Sequence, residues 1–110
     1  MTQPISFVVY LPGQPEKRDE LFASLETVLD AMSHEPDFVN TYLHRAADDP
    51  DTLVLYETWA CSAEYFVSHH LSKPYRADYE RKLGDLLKSE RRIEWLEPVK
   101  AYEPKATQIN

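Results

Sequence analysis

The chain has 110 residues, with 12 lysines and arginines against 19 aspartates and glutamates, so its formal net charge is −7. An acidic chain without a basic stripe cannot neutralise many phosphates, which disfavours nucleic acid and anionic membrane surfaces as partners. The single cysteine, Cys61, excludes an internal disulfide and a zinc site built from cysteines. Without a signal peptide or a membrane-spanning apolar run, we expect a soluble cytoplasmic protein with one domain over residues 1–102 and a tail over 103–110.

The first half of the chain predicts a strand, a helix and a β-hairpin. Residues 5–11 are apolar on both faces, which indicates a central strand. Pro15 opens a helix whose apolar residues recur at helical spacing as far as Met32. Residues 38–45 and 52–59 alternate as strands do, and the polar stretch 48–51 predicts the turn between them.

The second half predicts two helices and a last strand. Ser62 is a suitable N-cap for a helix that carries His69 and His70, and Ser72 is a suitable cap for the next helix. Residues 91–102 predict a strand that Pro98 places at an edge, at least in part.

The resulting order, βαββααβ, predicts an α+β fold of the ferredoxin-like class, with a four-stranded antiparallel sheet and helices on one face. Several strands are apolar on both sides, so the uncovered face should not meet water. We therefore expect a homodimer in which a second copy covers that face.

Three short segments resemble the antibiotic biosynthesis monooxygenase (ABM) domains, which include small quinol monooxygenases. The third strand ends in Glu57-Thr58-Trp59, similar to the family's E-x-W. The stretch 70–75, HLSKPY, resembles H-L-x-x-P-H with Tyr75 in place of the last histidine. The corner Glu35-Pro36-Asp37 resembles E-P-G with Asp37 in place of glycine.

This resemblance implies a dimeric α+β barrel with a pocket between sheet and helices. Family members of known activity oxidise hydroxylated aromatics or quinols with O₂, without metal or flavin. The implied partners are a small aromatic substrate, O₂ and a second copy, with no cofactor and no metal ligands. Relatives that degrade haem are a poorer match, because the axial histidine expected about ten residues after His70 is absent.

Seven residues are candidates for the site. Glu57 and Trp59 share a strand face, and a carboxylate among apolar neighbours is either paired or tuned for proton transfer. The predicted catalytic residues are His70, Glu57, Trp59 and Tyr75, with His70 or Glu57 as the base. The predicted substrate-binding residues are Asn40, Tyr42 and Phe66. Asn40 and Tyr42 face either the pocket or the dimer seam, and the sequence leaves this open.

Two other functions stay open at this point. The first is an isomerase of a small polar or phosphorylated metabolite, which basic residues lining the pocket would favour. The second is a non-enzymatic dimer that binds a small aromatic ligand, which a pocket without titratable groups would favour. Arg76, Arg81 and Lys82 lie on the third helix, where a solvated face explains them equally well.

Overall fold

The structure, a computed structural model, describes residues 4–104. Its strands are β1 (Ile5–Pro12), β2 (Phe38–Ala46), β3 (Asp49–Trp59) and β4 (Arg92–Leu96). They form one antiparallel sheet in the order β2-β3-β1-β4. This confirms the four-stranded ferredoxin-like sheet and the central place of the first strand.

The helices pack on one face of the sheet. They are α1 (Arg18–Met32), preceded by a 3₁₀ turn at Pro15–Lys17; α2 (Ala63–Tyr65), continued by a π-helical turn at Phe66–His70; and α3 (Ala77–Leu86), preceded by a 3₁₀ turn at Pro74–Arg76. Ser62 accepts a hydrogen bond from the N–H of Tyr65, as an N-cap should. Within residues 4–104, no helix is long and apolar enough to cross a membrane.

The core lies between the sheet and the helices. Phe7, Val9 and Leu11 alternate inward from β1, and Leu53, Leu55 and Trp59 do so from β3. Leu21, Leu25, Val28 and Met32 face them from α1 at helical spacing. The opposite, open face of the sheet carries Tyr42 and Tyr56, whose rings stack 6.4 Å apart and are exposed.

One bulge changes the predicted faces of β2. Strict alternation puts Phe38, Asn40, Tyr42 and His44 on one face, and this is wrong for Phe38. The pairing with β3 shifts between Phe38 and Asn40, so Phe38 lies opposite Trp59 while Asn40 lies opposite Thr58. Phe38 therefore packs on the helix side, edge-on to Trp59 at 5.4 Å, and Asn40 faces away.

Three predicted boundaries are also corrected. The stretch 48–51 is not all turn, because β3 already begins at Asp49, whose carboxylate accepts hydrogen bonds from Asp51 and Thr52. Ser72 does not cap the next helix; its hydroxyl donates to carbonyls of the helix before it. The last strand ends at Leu96, ahead of Pro98, which has no N–H to donate.

Candidate active site

Glu57 and Trp59 lie next to each other on the inner face of β3. Alternation along the strand points both side chains into the core, where Glu57 is 5% exposed and Trp59 is fully buried. The indole Nε1–H of Trp59 donates to Glu57 Oε1 over 3.0 Å. The carboxyl group is thus held by one donor, which leaves its second oxygen able to contact another partner.

A small cavity borders Glu57 between the sheet and the helices. Its volume is about 30 Å³, enough for a water molecule. Its lining is mostly apolar; the strands contribute Phe7, Val9, Leu55 and Ile93, and the helices and turns contribute Leu25, Val28, Leu29, Met32, Phe66, Leu71 and Tyr79. The polar lining consists of Glu57, Arg76 and Arg91 besides the Tyr79 phenol.

Two arginines line this cavity, and both donate hydrogen bonds to the same carboxylate. Arg76 is 8% exposed, and its Nη2 donates to Glu80 over 2.8 Å. Arg91 donates to the same Glu80 oxygen over 3.0 Å. Arg76 Nε is buried and has no hydrogen-bond partner among residues 4–104. We call Glu57, Arg76, Glu80 and Arg91 the cavity group.

The pKa values of the two acids in the cavity group are shifted in opposite directions. Burial raises the pKa of Glu57, and neither the Trp59 hydrogen bond nor the charge of Arg76 reverses this. Burial also acts to raise the pKa of Glu80, but hydrogen bonds from Arg91 and Arg76 outweigh it and lower the pKa. Glu80 is therefore a fixed anion that holds the arginines, while the carboxyl group of Glu57 holds its proton more tightly than an ordinary glutamate does.

His70 lies outside the cavity lining, in a second buried group. The turn Phe66–His70 is π-helical, with the N–H of Leu71 donating to Phe66 five residues back over 3.1 Å. This turn brings His70 inward to 2% exposure, while its neighbour His69 stays exposed. His70 Nε2 lies 2.9 Å from Asp37 Oδ2, and the imidazole packs 4.5 Å from the Trp59 ring.

Cys61 completes this second group, which we call the corner group: Asp37, Cys61 and His70. One potential ligand atom from each lies within 4.8 Å of the others. Burial raises the pKa of the Cys61 thiol, and the nearby charge of Asp37 raises it further. Sulfur, nitrogen and oxygen donors therefore converge here, a combination that suits a transition metal ion.

Tyr75 lies at the corner rather than at the cavity. Its hydroxyl donates to Glu35 Oε2 over 3.0 Å, and Lys73 reaches the other oxygen of Glu35 at 3.3 Å. Burial and the hydrogen bond to Glu35 raise the pKa of Tyr75 to about 12, so the phenol stays protonated. The residue at the family's last histidine position thus joins the segment 70–75 to the corner 35–37.

The predicted site residues separate into three places. Phe66 and Glu57 line the cavity, and Trp59 connects Glu57 to His70. Asn40 and Tyr42 lie on the open face of the sheet, away from all of these. Asn40 is half-buried there with its Oδ1 unpartnered among the described residues, and Tyr42 is exposed.

Sequence reasoning left Arg76 open between the pocket and a solvated face, and it missed Arg91 of the cavity group. A signal was present for Arg76, because it precedes Tyr79 by three residues and so falls on the buried face of α3. Arg81 and Lys82, by contrast, pair with Asp78 on the solvated face of α3, one of the two placements that the sequence leaves open. Arg91 precedes β4 in an irregular segment, where no periodicity marks an inward side chain.

Comparisons with known proteins agree with this fold. The family model described as antibiotic biosynthesis monooxygenase matches residues 4–82, which confirms the resemblance. Among solved structures, a protein from Mycobacterium tuberculosis superposes with a TM-score of 0.80 at 22% identity, covering 92% of this chain and 100% of that one. A candidate antibiotic biosynthesis monooxygenase from Caulobacter crescentus gives a TM-score of 0.80 at 21% identity, covering 90% and 92%. None of the curated proteins compared matches the chain.

Proposed function

Because this chain belongs to the antibiotic biosynthesis monooxygenase family, we propose that it oxidises a hydroquinone-like or polyphenolic molecule with O₂, without a bound cofactor. The observation that carries the proposal is Glu57, a carboxyl group of raised pKa at the wall of a mostly apolar cavity. Such a group accepts a proton from a phenol more readily than an ordinary surface carboxylate does.

In the proposed reaction, Glu57 is the base and Arg76 holds the anion. A phenolic hydroxyl hydrogen-bonds to the free oxygen of Glu57 and transfers its proton there. The phenolate is stabilised by the guanidinium of Arg76, whose Nε has no hydrogen-bond partner among the described residues. The electron-rich ring then passes an electron to O₂, and the radical pair recombines. One oxygen atom stays on the ring as the quinol becomes a hydroxyquinone, and the other leaves as water.

The cavity must widen to admit a ring. Its volume of about 30 Å³ is far below the ~150 Å³ of an apolar cavity that holds benzene. Met32 and Arg91 are long, unbranched side chains of the lining, and we expect them to turn aside, which requires Arg91 to break its bond to Glu80. A flat phenol would then lie against Phe7 and Phe66 with its hydroxyl toward Glu57, in contacts from which water is excluded.

A second candidate function is supported by the two arginines. Cationic residues at the cavity favour a phosphorylated or carboxylated metabolite, as an isomerase of that class would bind. Their shared bonds to Glu80 weaken this support, because each arginine is already paired with an anion. This alternative would be favoured if a phosphorylated compound bound to the protein and prevented hydroquinone from binding.

The test is oxygen uptake by metal-stripped protein with a panel of hydroquinones and anthrone-like phenols. The expected result is uptake by the wild type and a fall in kcat of about 10²–10⁴-fold in Glu57→Gln, since the amide cannot accept the proton. His69→Ala is the matched control, because this exposed histidine lies one residue from His70 and lines no part of the cavity.

Each result of that panel separates the candidates. Uptake that is retained in Glu57→Gln and lost in His70→Ala would move the base to the histidine. Absence of uptake together with saturable binding of a phenol would leave a non-enzymatic ligand-binding protein. Absence of both would contradict the proposal and favour the search for a phosphorylated substrate.

We also propose that two copies pair through the open faces of their sheets. The support is the pair Tyr42 and Tyr56, exposed at 56% and 38%, on a face that no described helix covers. Light scattering should give twice the mass of the chain, and Tyr56→Lys should shift the protein to monomer. A monomeric wild type at high concentration would contradict the pairing.

A further inference from the structure

The corner group lies apart from the proposed reaction and brings together three segments of the chain. Asp37 comes from the turn between α1 and β2, Cys61 from the residues directly after β3, and His70 from the end of the π-helical turn. The backbone N–H of Ala60 donates to the carbonyl of Asp37 over 2.8 Å, which fixes the first two segments against each other. The arrangement is therefore set by the fold before any ligand arrives.

The donor atoms match one class of ion. A thiolate, an imidazole nitrogen and a carboxylate oxygen together suit zinc and its neighbours among the transition metals, whereas calcium and magnesium prefer oxygen alone. Tetrahedral zinc with Zn–S of about 2.3 Å and Zn–N of about 2.0 Å separates neighbouring ligand atoms by roughly 3.3–3.7 Å. Three atoms within 4.8 Å of one another need to move by only about 1 Å to reach that geometry.

A second observation comes from His70 itself. The residue is 2% exposed, its Nε2 faces Asp37 at 2.9 Å, and its buried Nδ1 has no hydrogen-bond partner within residues 4–104. An ion held between Asp37 and Cys61 would bind Nε2, the nitrogen that faces Asp37, and would leave Nδ1 to a water molecule. The negative charge of Asp37 beside the thiol disfavours a free thiolate nucleophile but favours a cation that binds both.

We propose that Asp37, Cys61 and His70 bind a divalent transition metal ion of the zinc class. The fourth position would be taken by water, because the Asp37 side chain is 30% exposed and opens the group to solvent on that side. The ion would join the turn before β2, the end of β3 and the π-helical turn. It would also fix the imidazole that packs on Trp59.

The test is binding of Zn²⁺ and Co²⁺ to the full chain after chelator treatment. We expect one ion per chain, and for Co²⁺ the intense visible bands of a tetrahedral complex together with a thiolate-to-cobalt charge-transfer band. Calcium should not compete. In Cys61→Ala the charge-transfer band should vanish and the affinity for Zn²⁺ should fall by at least about 10–100-fold, because a ligand has been removed.

The variants make the assignment falsifiable without an activity assay. Asp37→Asn should weaken zinc binding while leaving the charge-transfer band, and His69→Ala is the matched control that should bind as the wild type does. Circular dichroism and the unfolding temperature without metal show whether each variant folds. Failure to bind stoichiometrically at a several-fold molar excess of metal would overturn the site. Unchanged affinity in Cys61→Ala would overturn it as well.

Discussion

Trp59 contacts one residue from each of two groups of polar side chains, and the two groups differ in what surrounds them. The indole N–H holds Glu57 of the cavity group, while the indole ring packs on His70 of the corner group. The cavity group has two carboxyls and two arginines beside apolar walls, which suits proton transfer from an organic ring. The corner group has a thiol, an imidazole and a partly exposed carboxylate, which suits a metal ion.

This difference separates two residues that the sequence motifs place together. The resemblance implies Glu57 and His70 as alternative bases of one site. In the structure only Glu57 borders the cavity, and His70 is turned toward Asp37. A histidine that matches a family motif therefore need not face the pocket; here it contacts Asp37, the residue at the motif's glycine position.

The largest expected effect on stability comes from removing Trp59, which contacts a residue of each group. Trp59→Ala should lower the free energy of unfolding by about 3–5 kcal/mol, because a fully buried aromatic ring is replaced by a cavity. Chemical denaturation measures this. Trp95→Ala is the matched control: Trp95 is 44% exposed, so its loss should cost about 1–2 kcal/mol. Equal losses in the two variants would contradict the central place of Trp59.

The second effect tests the pairing inside the cavity group. Arg76→Met should lower the free energy of unfolding by about 2–3 kcal/mol, because Glu80 loses the charge-assisted hydrogen bond from the more buried of its two arginines. The methionine keeps much of the apolar stem, so the loss reports mainly on the charge.

The matched control for that prediction is Arg91→Met. Its side chain is 28% exposed and so is better solvated, and its loss should cost about 1 kcal/mol. If Arg91→Met proved the more damaging of the two, Glu80 would depend on Arg91 and the buried charge of Arg76 would be worth little.

The sequence predicted most of the fold and part of the site, for physical reasons. Because alternate side chains of a strand point to the same face, Glu57 and Trp59 lie on one face of β3. This depends only on residues close in sequence, so it could be predicted. The bulge near Phe38 and the π-helical turn at Phe66–His70 each shift a register by about one residue. No composition signal marks such shifts, and both decide which side chains face the core.

The remaining site residues come together only through tertiary contacts. Arg91 reaches the cavity from an irregular segment, and Cys61 meets Asp37 and His70 from separate parts of the chain. The two departures from the family motifs, Asp37 and Tyr75, both make contacts between the corner 35–37 and the segment 70–75. Their side chains are visible in the sequence, but their partners are not.

The third prediction concerns pH and separates Glu57 from the other acids. Its pKa in the folded protein lies above the usual 4.5, so the folded state holds the proton more tightly than the unfolded state does. The stability of the wild type should therefore fall, relative to Glu57→Gln, as the pH rises from about 4.5 through the folded pKa, and then level off.

Unfolding curves of the two proteins across pH 4–9 measure the difference. It should be smaller than the Arg76→Met effect, because a buried acid can protonate whereas an arginine cannot. A difference that grows toward low pH would mean that Glu57 is stabilised as a carboxylate, and the role of base would lose its support.

The smallest effect tests whether Tyr75 belongs to the corner or to the cavity. Tyr75→Phe removes the hydroxyl that donates to Glu35, while Lys73 still binds that carboxylate. The cost should be about 1 kcal/mol of unfolding free energy, because the bond is charge-assisted but partly exposed. The pKa of Glu35 should rise, since the Tyr75 hydrogen bond is one of the contacts that lower it.

A small loss of stability with an unchanged KM for the quinol would place Tyr75 in the corner, as its bond to Glu35 indicates. Glu35→Gln serves as the matched variant, because it keeps the shape of the acceptor but removes the charge that both Tyr75 and Lys73 bind. If Tyr75→Phe instead raised KM and left the stability unchanged, the phenol would reach substrate. The cavity would then have to open toward α3 and the turn before it, rather than toward Met32 and Arg91.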